Sequence, residues 1–227
     1  MGLNHWFLHP PGSILLSQEI ATLDRLFETR RGTDLLQIGG PDEPCLIKNA
    51  KVFRSFLLDD KHHAHPTKPF IRSKVDALPV QSESMDIVLL MHALETTRHP
   101  TAVLQEAHRV LRPNGLLIVF GWNPFGVWRL FQEGIPHHNR CYTASKIKRY
   151  LCKTRFEVAT HQTLCFRPPV KSEETARSLL WLETVGQLLL PYAGAVYVLT
   201  ATKNMPGVTP LLVSGFQSAR VCEIKSI

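Results

Sequence analysis

The sequence has no apolar run near the roughly 18 to 20 residues that cross a bilayer, because charge or proline interrupts each candidate, so no membrane association is expected. Its opening, from Met1 to Trp6, lacks the basic stretch and apolar block of a secretory signal. The five cysteines (Cys45, Cys141, Cys152, Cys165 and Cys222) are odd in number and never form a CxxC pair. Neither a disulfide framework nor a zinc site is indicated, and a reducing cytoplasm is the expected compartment. There is no internal repeat. A complete Gly-x-Gly-x-x-Gly turn is also missing, which places a nicotinamide-dependent oxidoreductase well below other readings.

What is present is an ordinary globular composition, 44% hydrophobic and 20% charged over 227 residues, enough for one substantial core. One domain over residues 1–203 is expected, with 204–227 as an irregular tail. The net charge of +7 and pI near 9.3 attract anions at long range. The basic residues are spread along the chain instead of forming a tract. A small-molecule or anionic substrate therefore fits, and a nucleic acid stays open without a motif to indicate it. Oligomeric state is not legible.

Apolar residues at three-to-four spacing (Ile14, Leu15, Ile20, Leu23, Leu26, Phe27) predict an amphipathic helix over 13–28, capped by Ser13 or Ser17. Asp34 to Ile38 reads as a buried strand closed by Gly39-Gly40-Pro41, and a second strand is expected from Val52 to Leu58. Phe70 to Val75 suggests a short third strand, and Asp86 to Met91, apolar on both faces, reads as the interior of a parallel sheet. A helical stripe follows from Pro100 to Leu111, ended by Pro113-Asn114-Gly115, then a strand from Leu116 to Phe120. A helix from Thr143, a strand from Phe156 to Thr160 and a last strand from Ala195 to Ala201 complete the order. This alternation implies an α/β fold, Rossmann-like and doubly wound. A mostly parallel seven-stranded sheet with helices on both faces is expected, binding ligands beyond the carboxyl ends of its strands.

Asp76-Ala77-Leu78-Pro79, the strand from Asp86, His92-Ala93-Leu94-Glu95, and Arg109-Val110-Leu111-Arg112-Pro113-Asn114-Gly115 form an ordered series. Together they resemble the class I S-adenosylmethionine (SAM) methyltransferases of the small-molecule type, and the likeness extends more loosely from Gly32 to Lys203. The resemblance implies SAM as cofactor and methyl transfer as activity. Asn123-Pro124-Phe125 is not read as the Asn-Pro-Pro-aromatic motif of amino-group methyltransferases, because it falls one strand too late.

Glycines at 39 and 40 let a backbone approach a cofactor without a Cβ clash, and free amides there can meet a carboxylate. The family's acidic residue two places before the first glycine is Gln37 here, which keeps hydrogen-bonding groups but no charge. Pro41 replaces a further glycine of that loop and lacks an N–H. Asp59, about twenty residues beyond Gly39, is the candidate for ribose hydroxyls. The resemblance places Asp76 beside the adenine amino group, with backbone at Ala77 and Leu78, and His92 near the sulfonium. Two readings follow: a SAM-dependent methyltransferase, or a degenerate relative that keeps the fold as a binding or regulatory module. No catalytic residue is assigned. His62, His63 and His65, like His137 and His138, read as solvated loop residues and no metal is expected. The segments 122–139 and 167–190 are expected to cover the substrate.

Overall fold

The computed structural model describes residues 6–28, 32–42, 54–60, 68–131 and 140–204. Helix α1 (Gly12–Glu28) leads into β1 (Asp34–Ile38), β2 (Arg54–Asp59), β3 (Phe70–Arg72) and β4 (Met85–Met91). Then come α2 (Pro100–Val110), β5 (Leu111–Trp122), α3 (Ala144–Lys153), β6 (Phe156–Leu164), α4 (Glu173–Ser178), α5 (Trp181–Leu189) and β7 (Val196–Lys203). The strands form one sheet in the order β3-β2-β1-β4-β5-β7-β6. Pairing is parallel from β3 through β5, while β7 runs antiparallel to both β5 and β6. Strand order reverses between β1 and β4, so the crevice at their carboxyl ends is the natural ligand position.

Parity in the strands builds two cores. Leu36, Ile38, Val88, Leu90, Leu117 and Val119 face one side, where the α2 stripe (Val103, Leu104, Ala107, Val110) and Ile147 and Leu151 of α3 cover them. Leu35, Ile87, Leu89, Met91, Ile118 and Phe120 face the other side, beneath Leu15, Leu23 and Phe27 of α1. Each such side chain, taken from water, contributes about 1.5–3 kcal/mol against the entropy of ordering it. The sheet is thus covered on both faces, as expected from its unbroken apolar strands.

Several boundaries differ from expectation for local reasons. Helix α1 starts at Gly12, and neither serine caps it, since the Ser17 hydroxyl donates to the Ile14 carbonyl at 2.7 Å. Val52 and the start of the second predicted strand lie outside the described residues, and β2 runs on to Asp59. Strand β3 stops at Arg72, and its last ladder bond runs from the Ser73 amide to the Asp59 carbonyl. Strand β5 begins at Leu111, not Leu116: pairing jumps from Met85 with Leu111 to Ile87 with Leu116. The Pro113-Asn114-Gly115 segment is therefore a bulge within the strand, with Asn114 in the left-handed region at φ 62°. Strand β6 continues to Leu164 because β7 pairs with it to Val196. Helices α4 and α5 were not expected. Helix α5 buries none of its residues, and Trp181, Leu188 and Leu189 on it are exposed. The histidines at 62, 63, 65, 137 and 138 and the tail beyond Asn204 lie outside the described residues.

At the amino edge of the sheet, charges are paired. The Asp86 carboxylate accepts from the amides of Thr33 (2.7 Å) and Asp34 (3.0 Å), from the Thr33 hydroxyl, and from Arg112 (2.6 Å). Partial burial opposes its charge, but these donors prevail and bring its pKa to about 2. Asp34 is held below its usual value chiefly by the hydrogen bond from Arg54, whose Nε lies 2.6 Å away.

Candidate functional site

The turn after β1 is built around two glycines with positive φ, 69° at Gly39 and 78° at Gly40. A Cβ on Gly40 would lie 2.4 Å from the Met91 Cβ, and one on Gly39 would lie 3.0 Å from the Met91 carbonyl oxygen. Both positions thus demand glycine for conformation and for the close approach of β4. The Gly39 amide donates to the Leu58 carbonyl at 2.9 Å, which fastens the turn to β2.

Gln37 is fully buried and turned into its own loop. Its amide nitrogen donates to the Gly39 carbonyl at 3.0 Å and to the Pro41 carbonyl at 2.9 Å. Its amide oxygen accepts from the Lys68 ammonium at 2.9 Å. An amide suits this place better than a carboxylate would, because two carbonyl oxygens need donors and a carboxylate has none to give. The structure therefore uses Gln37 to shape the turn, not to present a group to the crevice.

Asp59 ends β2 and is buried at the same edge as the glycine turn. Asp76 lies half-buried in the turn after β3. Ala77 is exposed, and its amide donates to the Lys74 carbonyl at 3.3 Å. Leu78 is buried, with both backbone groups committed to α2: its amide donates to Glu106 (2.9 Å) and its carbonyl accepts from Arg109 (2.9 Å). Gly39 and Gly40 thus follow β1, Asp59 ends β2 and Asp76 lies in the turn after β3, while Leu78 serves to anchor its loop.

His92, just after β4, has φ 52° and a fully buried imidazole. Its Nε2 shares a 2.9 Å hydrogen bond with the buried Glu19 of α1, and its ring stacks on Trp122 at 4.4 Å between centroids. Glu95 closes the other side, one oxygen accepting from the Trp122 amide at 2.8 Å. Burial works against a charge on His92, yet the field and hydrogen bond of Glu19, aided by Glu95, outweigh it and raise the imidazole pKa. Burial pushes the Glu95 carboxyl above its usual value, against the pull of His92. His92 Nδ1, Glu19 Oε2, Glu95 Oε2 and Trp122 Nε1 have no hydrogen-bond partner among the described residues. The cluster sets a buried imidazole, its pKa raised, between two buried glutamates just after β4. Glu19 escaped the sequence reading, though it had a signal: it stands four residues after Leu15 and four before Leu23, on the buried stripe of α1.

A methyltransferase-domain family model matches residues 51–119, the stretch that carries β2 to β5. That stretch, less than half of the chain, resembles a methyltransferase domain. The uncharacterized protein YafS of Escherichia coli is 32% identical over 36% of this chain and 36% of its own length. A phthiotriol/phenolphthiotriol dimycocerosates methyltransferase of Mycobacterium ulcerans is 36% identical over 35% of this chain and 30% of its own length. The matched stretches span about a third of these curated relatives. A solved SAM-dependent methyltransferase of Thermotoga maritima covers 88% of this chain and 93% of its own, at 17% identity and a TM-score of 0.62. That likeness carries the fold. In this chain that fold is the seven-stranded sheet with its reversed β7.

Proposed function

We propose that this protein is a SAM-dependent methyltransferase acting in the cytoplasm on a small-molecule acceptor. The observation that carries the reading is the glycine turn and two carboxylates, Asp59 and Asp76, along one carboxyl edge of a sheet with the methyltransferase fold. These groups suit a ligand that carries ribose hydroxyls, an adenine amino group and an amino-acid end. Asp59 would accept from the hydroxyls, Asp76 from the amino group, and the backbone at Gly40 lies where the amino-acid end would pass. Bound SAM supplies an electrophilic methyl group on a sulfonium, and the protein's part is to orient it toward the acceptor. Gln37 and Leu78 take no part in this binding, because their polar groups are spent within the fold.

A second reading rests on that same commitment of Gln37. If the turn exists only to pack against Met91, the fold serves as a binding module without catalysis. Calorimetric titration of SAM and of S-adenosylhomocysteine into the wild type and Asp76→Ala separates the two. Saturable binding that Asp76→Ala weakens about tenfold supports the enzyme. Absence of binding to the wild type supports the module.

A further inference from the structure

A cavity of about 710 Å³ opens at the carboxyl end of β5, between the start of α3 and the strands β6 and β7. It lies one strand along from the switch point and has the size of a small-molecule site. Ala144 and Ser145, the first residues of α3, line it, and their amides have no partner within the helix. Lys148, one turn later on the same face as Ala144, lines it too. Lys148 is half-buried, no carboxylate contacts it among the described residues, and burial alone pushes its pKa down. Opposite stands His161, whose buried Nε2 has no hydrogen-bond partner among the described residues. Burial, then the nearby Lys148, lowers the pKa of that imidazole. The fifth polar group is the Tyr197 hydroxyl, on a side chain only 1% exposed and likewise without a partner. Among the described residues, no acidic side chain lines the cavity. Its rim is aromatic: Phe125 is exposed, and Tyr192 stacks on His161 at 6.5 Å.

We propose that this cavity is the acceptor subsite and takes an aromatic small molecule bearing an oxyanion, either a carboxylate or a phosphate. The proposal rests on the methyltransferase reading only for the word acceptor. Helix-start amides and an unmatched ammonium line one cavity in which a negative charge would meet them, with the buried His161 Nε2 and Tyr197 hydroxyl just behind its wall. The ring of such a ligand has Phe125 and Tyr192 to lie against.

Benzoate and phenyl phosphate, with neutral benzamide as control, are titrated into the full chain and followed by calorimetry and by the NMR shifts of the Ala144 and Ser145 amides. Both oxyanions should move those amides and bind at least about tenfold more tightly than benzamide. Lys148→Gln should lose about tenfold in affinity and Lys148→Arg should keep most of it, with unchanged circular dichroism for both. The stronger of the two oxyanions identifies the source as carboxylate or phosphate. Equal binding of benzamide, an indifferent Lys148→Gln, or no oxyanion binding overturns the proposal. Binding of S-adenosylhomocysteine, measured separately, keeps the failures apart. Oxyanion binding without it upholds the cavity and removes methyl transfer, whereas the converse removes the cavity alone.

Discussion

The two ends of one parallel sheet treat charge in opposite ways. At the amino edge, Asp34 and Asp86 meet Arg54 and Arg112, with Arg54 largely in water and Arg112 partly so. At the carboxyl edge, Glu19, His92 and Glu95 are sealed beneath aromatic side chains, and four polar atoms of the cluster and its Trp122 lid lack partners among the described residues. The first arrangement tolerates the loss of an arginine better, because water reaches the arginine side of each pair. The second tolerates a loss poorly, because removing one partner strands a charge in a dry core.

The largest expected effect follows directly. Glu19→Ala should lower unfolding free energy by about 3–5 kcal/mol in denaturant titration, leaving His92 without its anchor. The double variant Glu19→Leu with His92→Phe should recover much of that loss, since an apolar pair has no unmet charge. A loss in the single variant no larger than about 1 kcal/mol would mean the cluster is not dry, and the contrast between the edges would collapse.

Next in size is Gly40→Ala, which must hold a left-handed φ and drive its Cβ into Met91. A cost of about 2–4 kcal/mol is expected from strain and overpacking together. If the turn also carries the cofactor, affinity for S-adenosylhomocysteine should fall with it. A variant of wild-type stability that still loses binding would show the glycine is kept for the ligand alone.

The sheet was legible in the sequence because unbroken apolar strands and helical stripes are local signals. Asp86 to Met91 could only be an interior strand, and Val103, Leu104, Ala107 and Val110 could only face inward. The tight turn after β1 was legible too, through Gly39 and Gly40. The partners of the polar residues were not. Gln37 looks like a weakened ligand until Lys68 and the Pro41 carbonyl are seen around it. Glu19 and His92 are 73 positions apart, and no local pattern joins them. Helix α5 had a signal that was missed, since Trp181, Leu182, Val185, Leu188 and Leu189 recur at helical spacing.

Acidity and alkalinity should probe the two edges separately. The folded pKa of Asp86, about 2, lies below its ordinary 3.8, so its contribution is whole above 3.8 and fades as pH falls toward 2. About 2 kcal/mol is at stake, and Asp86→Asn should flatten that acid limb in denaturation measured against pH. His92 runs the other way. Its folded pKa is raised above 6.5, so its contribution is whole below 6.5 and fades as pH climbs through the folded value. Glu19→Gln should remove that alkaline slope while leaving the acid limb intact. A single variant that erased both limbs would show the edges to be one coupled unit.

The smallest effect tests whether the fragility of the carboxyl edge comes from buried charge or from that edge in general. Thr143 caps α3 there, its hydroxyl accepting from the Lys146 amide at 3.2 Å, and it stays partly open to water. Thr143→Ala should therefore cost only about 1 kcal/mol, and Thr143→Ser should cost almost nothing, because the hydroxyl alone makes the cap. Water can reach the amide that alanine leaves bare, whereas none reaches His92. A penalty for Thr143→Ala as large as that for Glu19→Ala would place the fragility in the packing of α3 against β6, and the buried cluster would lose its special standing.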